Sequence, residues 1–169
     1  MTREEIEALR VGVVAVAATA AAVVDYRIWK IPNKFSVALA VTGLIARPAL
    51  QGWNDGLLDG LKGFAFGFGL LFVMWLIARG GAGDVKFFGA AGIWLGFDKT
   101  VIAFIGSAIF VTFIEIARYT MRLISKTPPK RETTAMVGGK RRSIVPFAVP
   151  LAGIAWTMFV LRMFVLMNR

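Results

Sequence analysis

The sequence has no cysteine and no histidine among its 169 residues. The absence of cysteine excludes disulfides, thiolate zinc sites and cysteine nucleophiles. The absence of histidine removes the usual general base and a common metal ligand. Any acid–base chemistry therefore falls to Asp, Glu, Lys or Tyr, and we expect neither a metal nor a cofactor.

Charged residues are also scarce, at 18% of the chain, whereas 57% is hydrophobic. This composition is too apolar for an ordinary soluble domain. The net charge of +10 would suggest nucleic acid in a soluble protein. In a membrane protein, basic loops instead set the orientation and meet anionic headgroups. We therefore expect membrane lipids, and no nucleic acid, as partners.

Six apolar segments predict an all-α, polytopic integral membrane protein with about six transmembrane helices. Residues 1–169 are expected to form a single membrane-embedded domain. The candidate spans are 8–25, 34–50, 57–78, 84–97, 100–123 and 144–167. The first, third, fifth and sixth are strong; Arg47 and Pro48 weaken the second, and the fourth is short enough to be re-entrant.

The Lys and Arg residues are unevenly distributed between the two faces of this layout. Thirteen of the 20 lie in or beside the first, third and fifth loops, and seven lie on the other face. The positive-inside rule then puts those three loops in the cytoplasm and both termini outside.

Two acidic residues, Asp25 and Asp84, lie at the ends of predicted spans. Asp25 follows a long uncharged helix, where its simplest role is an interfacial pair with Arg27 or Lys30. Asp84 begins the fourth span, where Asp is a preferred N-cap. Because the first span ends on the face where the fourth begins, both carboxylates are expected at one membrane level.

Two facing carboxylates are the chemistry of aspartic proteolysis. One, ionised, takes a proton from water, while the other, protonated, donates to the peptide carbonyl. The helix dipoles favour ionised Asp84 and protonated Asp25, although neighbouring Lys and Arg residues can reverse this. Gly80, Gly81 and Gly83 are expected to permit unusual backbone conformations and to leave room for an extended peptide.

The two acidic motifs resemble those of a known family. "GAGD", followed by "VKFFGAAGIWLG", is similar to the GxGD signature of the type IV prepilin peptidases, and "DYRIWKIPN" to the family's first aspartate motif. The resemblance covers essentially the whole chain. It implies catalytic Asp25 and Asp84. It also implies substrate-binding or supporting roles for five further residues: Gly81, Gly83, Lys86, Pro32 and Asn33, the last as a cap of the second span.

The resemblance further implies a membrane aspartic endopeptidase of the bacterial cytoplasmic (inner) membrane. Its substrate would be a prepilin or pseudopilin with a short basic leader before an apolar helix, and the pilus-assembly machinery is a candidate partner. Long family members carry a cysteine-bearing segment in the first loop and also N-methylate the trimmed pilin. This chain lacks that segment, so it looks like the short form of tight-adherence (Flp-type) pili, and methyltransferase activity is not expected.

Two alternatives from other classes remain open at this stage. Ionisable groups near the bilayer are also typical of a small transporter. A non-catalytic scaffold of a secretion or pilus apparatus is the second alternative.

The closely spaced glycines of "GFAFG" and "GIWLG" are expected to serve helix packing. Pro146 and Pro150 are expected to kink the sixth span.

Overall fold

The computed structural model describes residues 1–28, 32–78, 81–124, 134–137, 140–143 and 148–168. Within these ranges the chain forms six α-helices, one π-helical turn and one pair of short antiparallel strands. In chain order the elements are α1 (Arg3–Ile28), α2 (Asn33–Gln51), the π-helical turn (Trp53–Leu57), α3 (Leu58–Ala78), α4 (Ala82–Leu95), α5 (Phe97–Ile124), β1 (Thr134–Val137), β2 (Lys140–Ser143) and α6 (Ala148–Met167).

Four helical segments of the described part of the chain are long and apolar enough to cross a membrane. They are Arg3–Asp25, Trp53–Ile77, Phe97–Met121 and Ala148–Met167. These correspond to the four strong candidates from the sequence, so the all-α polytopic prediction is confirmed. The exception to helix is the antiparallel pair of β1 and β2, in which Thr134 lies opposite Ser143. It falls in the fifth loop, where no strand was predicted.

The first helix begins with a reciprocal capping box. The backbone N–H of Thr2 donates to the Glu5 carboxylate at 2.9 Å, and the N–H of Glu5 donates to the Thr2 hydroxyl at 3.2 Å. Two N–H groups that lack helical partners are satisfied in this way. Helix α1 then continues to Ile28, three residues beyond Asp25.

Helix α4 lies at the centre of the bundle. It has 14 residues, and every residue from Phe87 to Leu95 is buried. At a rise of about 1.5 Å per residue its length is about 21 Å, short of the roughly 30 Å of a hydrocarbon core. Gly96, at φ 77°, ends the helix. The prediction that the fourth segment is short is therefore confirmed, and it ends two residues earlier than expected.

Neighbouring helices approach α4 closely through glycine. A Cβ on Gly63 of α3 would overlap the backbone of Gly92 on α4, and the reverse is also true. A Cβ on Gly67 would likewise lie 3.1 Å from the backbone oxygen of Phe88. These pairs show that α3 and α4 run antiparallel, and they confirm the packing role expected for the spaced glycines.

Three predictions about helix starts are wrong. The residue before α4 is Gly81, and Asp84 is the third residue of the helix rather than its N-cap. Pro32 precedes α2, so Asn33 is the first helical residue and not the cap. Helix α6 begins at Ala148, which puts Pro150 in its first turn, where proline is tolerated without a kink. Pro146 lies outside the described residues.

We expect Gly92→Ala to destabilise the bundle by about 1–3 kcal/mol, because the new methyl group would meet the backbone of α3 and neither backbone can give way locally. Thermal unfolding of the detergent-solubilised protein measures the effect. Gly69→Ala on α3 is the matched control, since a Cβ there meets nothing within 4 Å. Equal unfolding temperatures for the two variants would contradict the packing argument.

Candidate active site

The two acidic residues singled out in the sequence lie on different helices. Asp25 is in the last turn of α1 and Asp84 is in the first turn of α4. Both side chains are partly buried. Each carboxylate is therefore at the edge of the packed bundle, where water can reach it.

The relative direction of α1 and α4 follows from contacts at their other ends. Arg10, near the start of α1, donates from Nε to the carbonyl of Trp94 at 2.8 Å and from Nη2 to that of Leu95 at 2.7 Å. The start of α1 therefore lies beside the end of α4. Ala20, ten residues further along α1, lines one cavity with Phe35 of α2, and Phe35 stacks on Phe87 near the start of α4. The two helices therefore run antiparallel, and the end of α1 and the start of α4 lie at the same end of the bundle.

Helix lengths give the axial offset between the two carboxylates. Fifteen residues separate Arg10 from Asp25, and eleven separate Asp84 from Leu95, which correspond to about 22 Å and about 16 Å of rise. Side chains tilt toward the N-terminus of their own helix. In antiparallel helices these tilts bring the two side chains toward each other along the bundle axis, and the two rises differ by about 6 Å, or about one helix turn.

The carboxylate of Asp84 folds back over the start of its helix. A Cβ built on Gly81 would lie 3.0 Å from Oδ2 of Asp84. Gly81 has φ −72° and ψ 113°, an extended conformation open to any residue. The expectation of an unusual backbone at Gly81 is therefore wrong, and its lack of a side chain serves to leave space beside Asp84. The position in the first turn favours an ionised carboxylate through the helix dipole.

A hydrogen bond joins the two sequence motifs. Lys86 on α4 donates from Nζ to Oδ1 of Asn33 on α2 at 3.2 Å, and both residues are exposed. Just inside the bundle, Phe35 stacks on Phe87 with ring centroids 5.9 Å apart. Helices α2 and α4 are therefore parallel and begin at the same level. Sequence motif order alone did not predict this contact.

The other residues of the two motifs lie close to these. Pro32 precedes α2 with φ −63° and ψ 134°, and Gly83 is the second residue of α4. Pro32 and Asn33 thus stand at the start of α2, and Gly83 stands beside Asp84 in sequence. Ile31 and Gly80 lie outside the described residues.

A buried charge cluster at the opposite end was missed from the sequence. Arg47 is fully buried; it donates to the carbonyl of Gly56 at 3.0 Å and pairs with Asp59. Asp59 also accepts a hydrogen bond from the backbone N–H of Phe97 at 2.9 Å. We call Arg10, Arg47 and Asp59 the charge cluster. It links α1, α2, α3, α4 and α5.

The sequence carried a signal for this cluster. Arg47 lies within an otherwise apolar segment, and an ionisable residue inside a span is by default a functional or structural feature with a partner. From the sequence alone, Arg47 is interpreted only as a weakness of the second span. The carbonyl partners come from α4 and the π-helical turn, which no local pattern identifies.

Among the described residues, no group of three or more Asp or Glu side chains could hold a metal ion.

Comparisons with known proteins address the family of the chain. Searches of curated proteins and of solved structures gave no match. A sequence profile of the Type IV leader peptidase family matches residues 12–116, which include Asp25, Asp84 and the five residues with expected supporting roles. This match covers more than half of the chain, which therefore belongs to the type IV leader peptidase family and is a membrane peptidase of prepilin-like substrates.

Proposed function

We propose that this peptidase is an aspartic endopeptidase in which Asp25 and Asp84 form the catalytic pair. It removes the short basic leader of a prepilin or pseudopilin at the cytoplasmic face of the bacterial inner membrane. Gly81, Gly83, Lys86, Pro32 and Asn33 support the pair or contact the substrate. The pilus-assembly machinery receives the trimmed product.

The observation that carries this proposal is the antiparallel packing of α1 and α4. Hydrogen bonds from Arg10 to the carbonyls of Trp94 and Leu95 bring the start of α1 beside the end of α4, and the cavity shared by Ala20 and Phe35 brings its later turns near the start of α4. As a result, the last turn of α1, which carries Asp25, and the first turn of α4, which carries Asp84, lie at the same end of the bundle. The Lys86–Asn33 hydrogen bond supports the same level for the start of α2.

The chemistry requires the carboxylates to hold different protonation states. The ionised member accepts a proton from water as the water attacks the scissile carbonyl, and the protonated member donates to the carbonyl oxygen. The first turn of α4 favours the ionised state at Asp84, and the last turn of α1 disfavours it at Asp25. We therefore assign Asp84 as the base and Asp25 as the acid.

The membrane sets the geometry of the substrate. The apolar helix of a prepilin can lie in the bilayer, which leaves the leader junction at the cytoplasmic surface. The thirteen basic residues on that face fit a cytoplasmic orientation with both termini outside. They also fit contact with anionic headgroups of the inner leaflet.

We expect Asp25→Asn and Asp84→Asn each to lower prepilin cleavage by at least about a hundredfold, because each removes one of the two proton-transfer groups. The assay is cleavage of a candidate prepilin in membranes containing equal amounts of each variant. Asp55→Asn is the control, since Asp55 is exposed in the π-helical turn near the opposite end. It should cleave at the wild-type rate.

Retained cleavage in either variant would rule out the aspartic mechanism. The same experiment separates the alternative functions. A non-catalytic scaffold or a small transporter would show no cleavage in the wild type either, and a scaffold would tolerate both substitutions in pilus assembly.

Gly81→Ala should lower the cleavage rate roughly tenfold without loss of folded protein, because small misplacements of a catalytic group are costly. The new methyl group would lie 3.0 Å from the Asp84 carboxylate, which must shift to accommodate it. Gly69→Ala again provides the control. Unchanged cleavage in Gly81→Ala would show that the space beside Asp84 is not needed.

We expect the mature pilin to leave this enzyme with an unmethylated N-terminus. The sequence has no cysteine, and the first loop is too short for the cysteine-bearing segment of long family members. Mass spectrometry of the N-terminal peptide, after cleavage in the presence of a methyl donor, measures this directly. A product carrying an added methyl group would refute both this expectation and the assignment to the short form.

A further inference from the structure

At the end of α4, two arginines donate hydrogen bonds to backbone carbonyls. A helix leaves its last carbonyl groups without intrahelical partners, and within an apolar bundle few other donors are available. The carbonyl of Trp94 accepts from Arg10 at 2.8 Å and from Arg47 at 3.3 Å. The carbonyl of Leu95 accepts from Arg10 at 2.7 Å. Positive charge also matches the negative end of the helix dipole.

Arg10 uses its planar fork to connect three helices. Besides the two carbonyls of α4, its Nη1 donates to Oε1 of Gln51 on α2 at 2.9 Å. The side chain is 4% exposed, and its Nη2 lies 3.9 Å from Asp59 on α3. Such a fixed fork holds its partners in one geometry, which a flexible ammonium group does not.

These contacts connect the two candidate catalytic helices directly. Arg10 belongs to α1, which carries Asp25, and its partners Trp94 and Leu95 belong to α4, which carries Asp84. An axial slide of α4 along α1 would therefore break two buried hydrogen bonds. Groups buried without partners are costly, so the slide is opposed.

The start of α4 is held by a different kind of contact. The exposed Lys86–Asn33 hydrogen bond lies at that end, and Gly81 precedes the helix without a side-chain cap. Exposed polar contacts contribute little to the stability of a folded protein. The start is also held by the stacked rings of Phe35 and Phe87, but apolar contacts are not directional. The buried hydrogen bonds at the far end, about 16 Å away by helix rise, therefore fix the axial position of α4 most strictly.

We propose that Arg10 is a positioning residue for the Asp25–Asp84 pair. By tying the end of α4 to the start of α1, it fixes the register in which the two carboxylates reach the same level. Arg47 and Asp59 reinforce this register by tying the same end to α2, α3 and α5. The proposal rests on the proposed function, since it takes those two aspartates as the catalytic pair.

The test compares Arg10→Lys and Arg10→Gln with Arg162→Gln in the full-length protein. Arg162 on α6 is the matched control, because it pairs with Glu7 on α1 and so joins α1 to α6 instead of α4. Prepilin cleavage is measured per amount of folded protein after size-exclusion chromatography in detergent. We expect Arg10→Gln to lower kcat roughly a hundredfold with KM unchanged, as for a misplacement of about 1 Å. The kcat of Arg10→Lys should lie between those of Arg10→Gln and the wild type, and the kcat of Arg162→Gln should equal that of the wild type.

A second measurement reads the geometry without any need for proteolysis. The natural chain has no cysteine, so Asp25→Cys and Asp84→Cys together introduce a unique thiol pair. Bifunctional thiol reagents of increasing length then give a profile of cross-linking yield against length. With the wild-type Arg10 we expect a single preferred length. In Arg10→Gln and Arg10→Lys the preferred length should shift or the profile should broaden, whereas Arg162→Gln should preserve it.

The outcomes separate the positioning role from the proposed function. A profile unchanged by both Arg10 variants would overturn the positioning role, even if kcat fell. A wild type that cleaves no prepilin would refute the proposed function, and the cross-linking profile would still decide on Arg10. If Arg10→Gln does not fold, the comparison of Arg10→Lys with Arg162→Gln decides.

Discussion

The satisfaction of backbone carbonyls at the buried end of α4 is the constraint on which the rest of the structure depends. Helix α4 is too short to reach from one membrane surface to the other, so its last turn ends among packed side chains. Arg10 and Arg47 supply the missing donors, and Asp59 balances Arg47. A pair of buried cations is tolerated there because carbonyls, the helix dipole and a carboxylate surround it.

Close packing around α4 follows from the same constraint. A short central helix can bring its ends into contact with its neighbours only if their backbones approach closely. Glycines at positions 63, 67 and 92 permit that approach between α3 and α4. Trp94 adds a specific contact by donating from its indole nitrogen to the carbonyl of Leu39 on α2 at 2.9 Å. The arginines and the glycines thus act on the same element, one through hydrogen bonds and the other through packing.

The two ends of α4 differ in a way that suits the catalytic role proposed for Asp84. The far end is held by buried, charge-assisted hydrogen bonds, whereas the start carries the Asp84 carboxylate beside an exposed glycine. Catalytic groups need a fixed position, and a peptide substrate needs access. Rigidity at one end and open space at the other provide both within a helix of 14 residues. Membership in the type IV leader peptidase family is consistent with this division.

The sequence by itself determined the four long helices and the two acidic motifs, because hydrophobic length and motif spacing are local properties of the chain. It also indicated that the fourth segment is short, and that its glycines pack against a neighbour. Tertiary structure decided the partners of Arg10, Arg47 and Lys86, because their hydrogen bonds to residues of α2 or α4 join positions 41 to 85 apart, along helices whose register no local pattern contains. It likewise decided why residue 81 is glycine: the reason is the space taken by the Asp84 carboxylate, and that space exists only once α4 has formed.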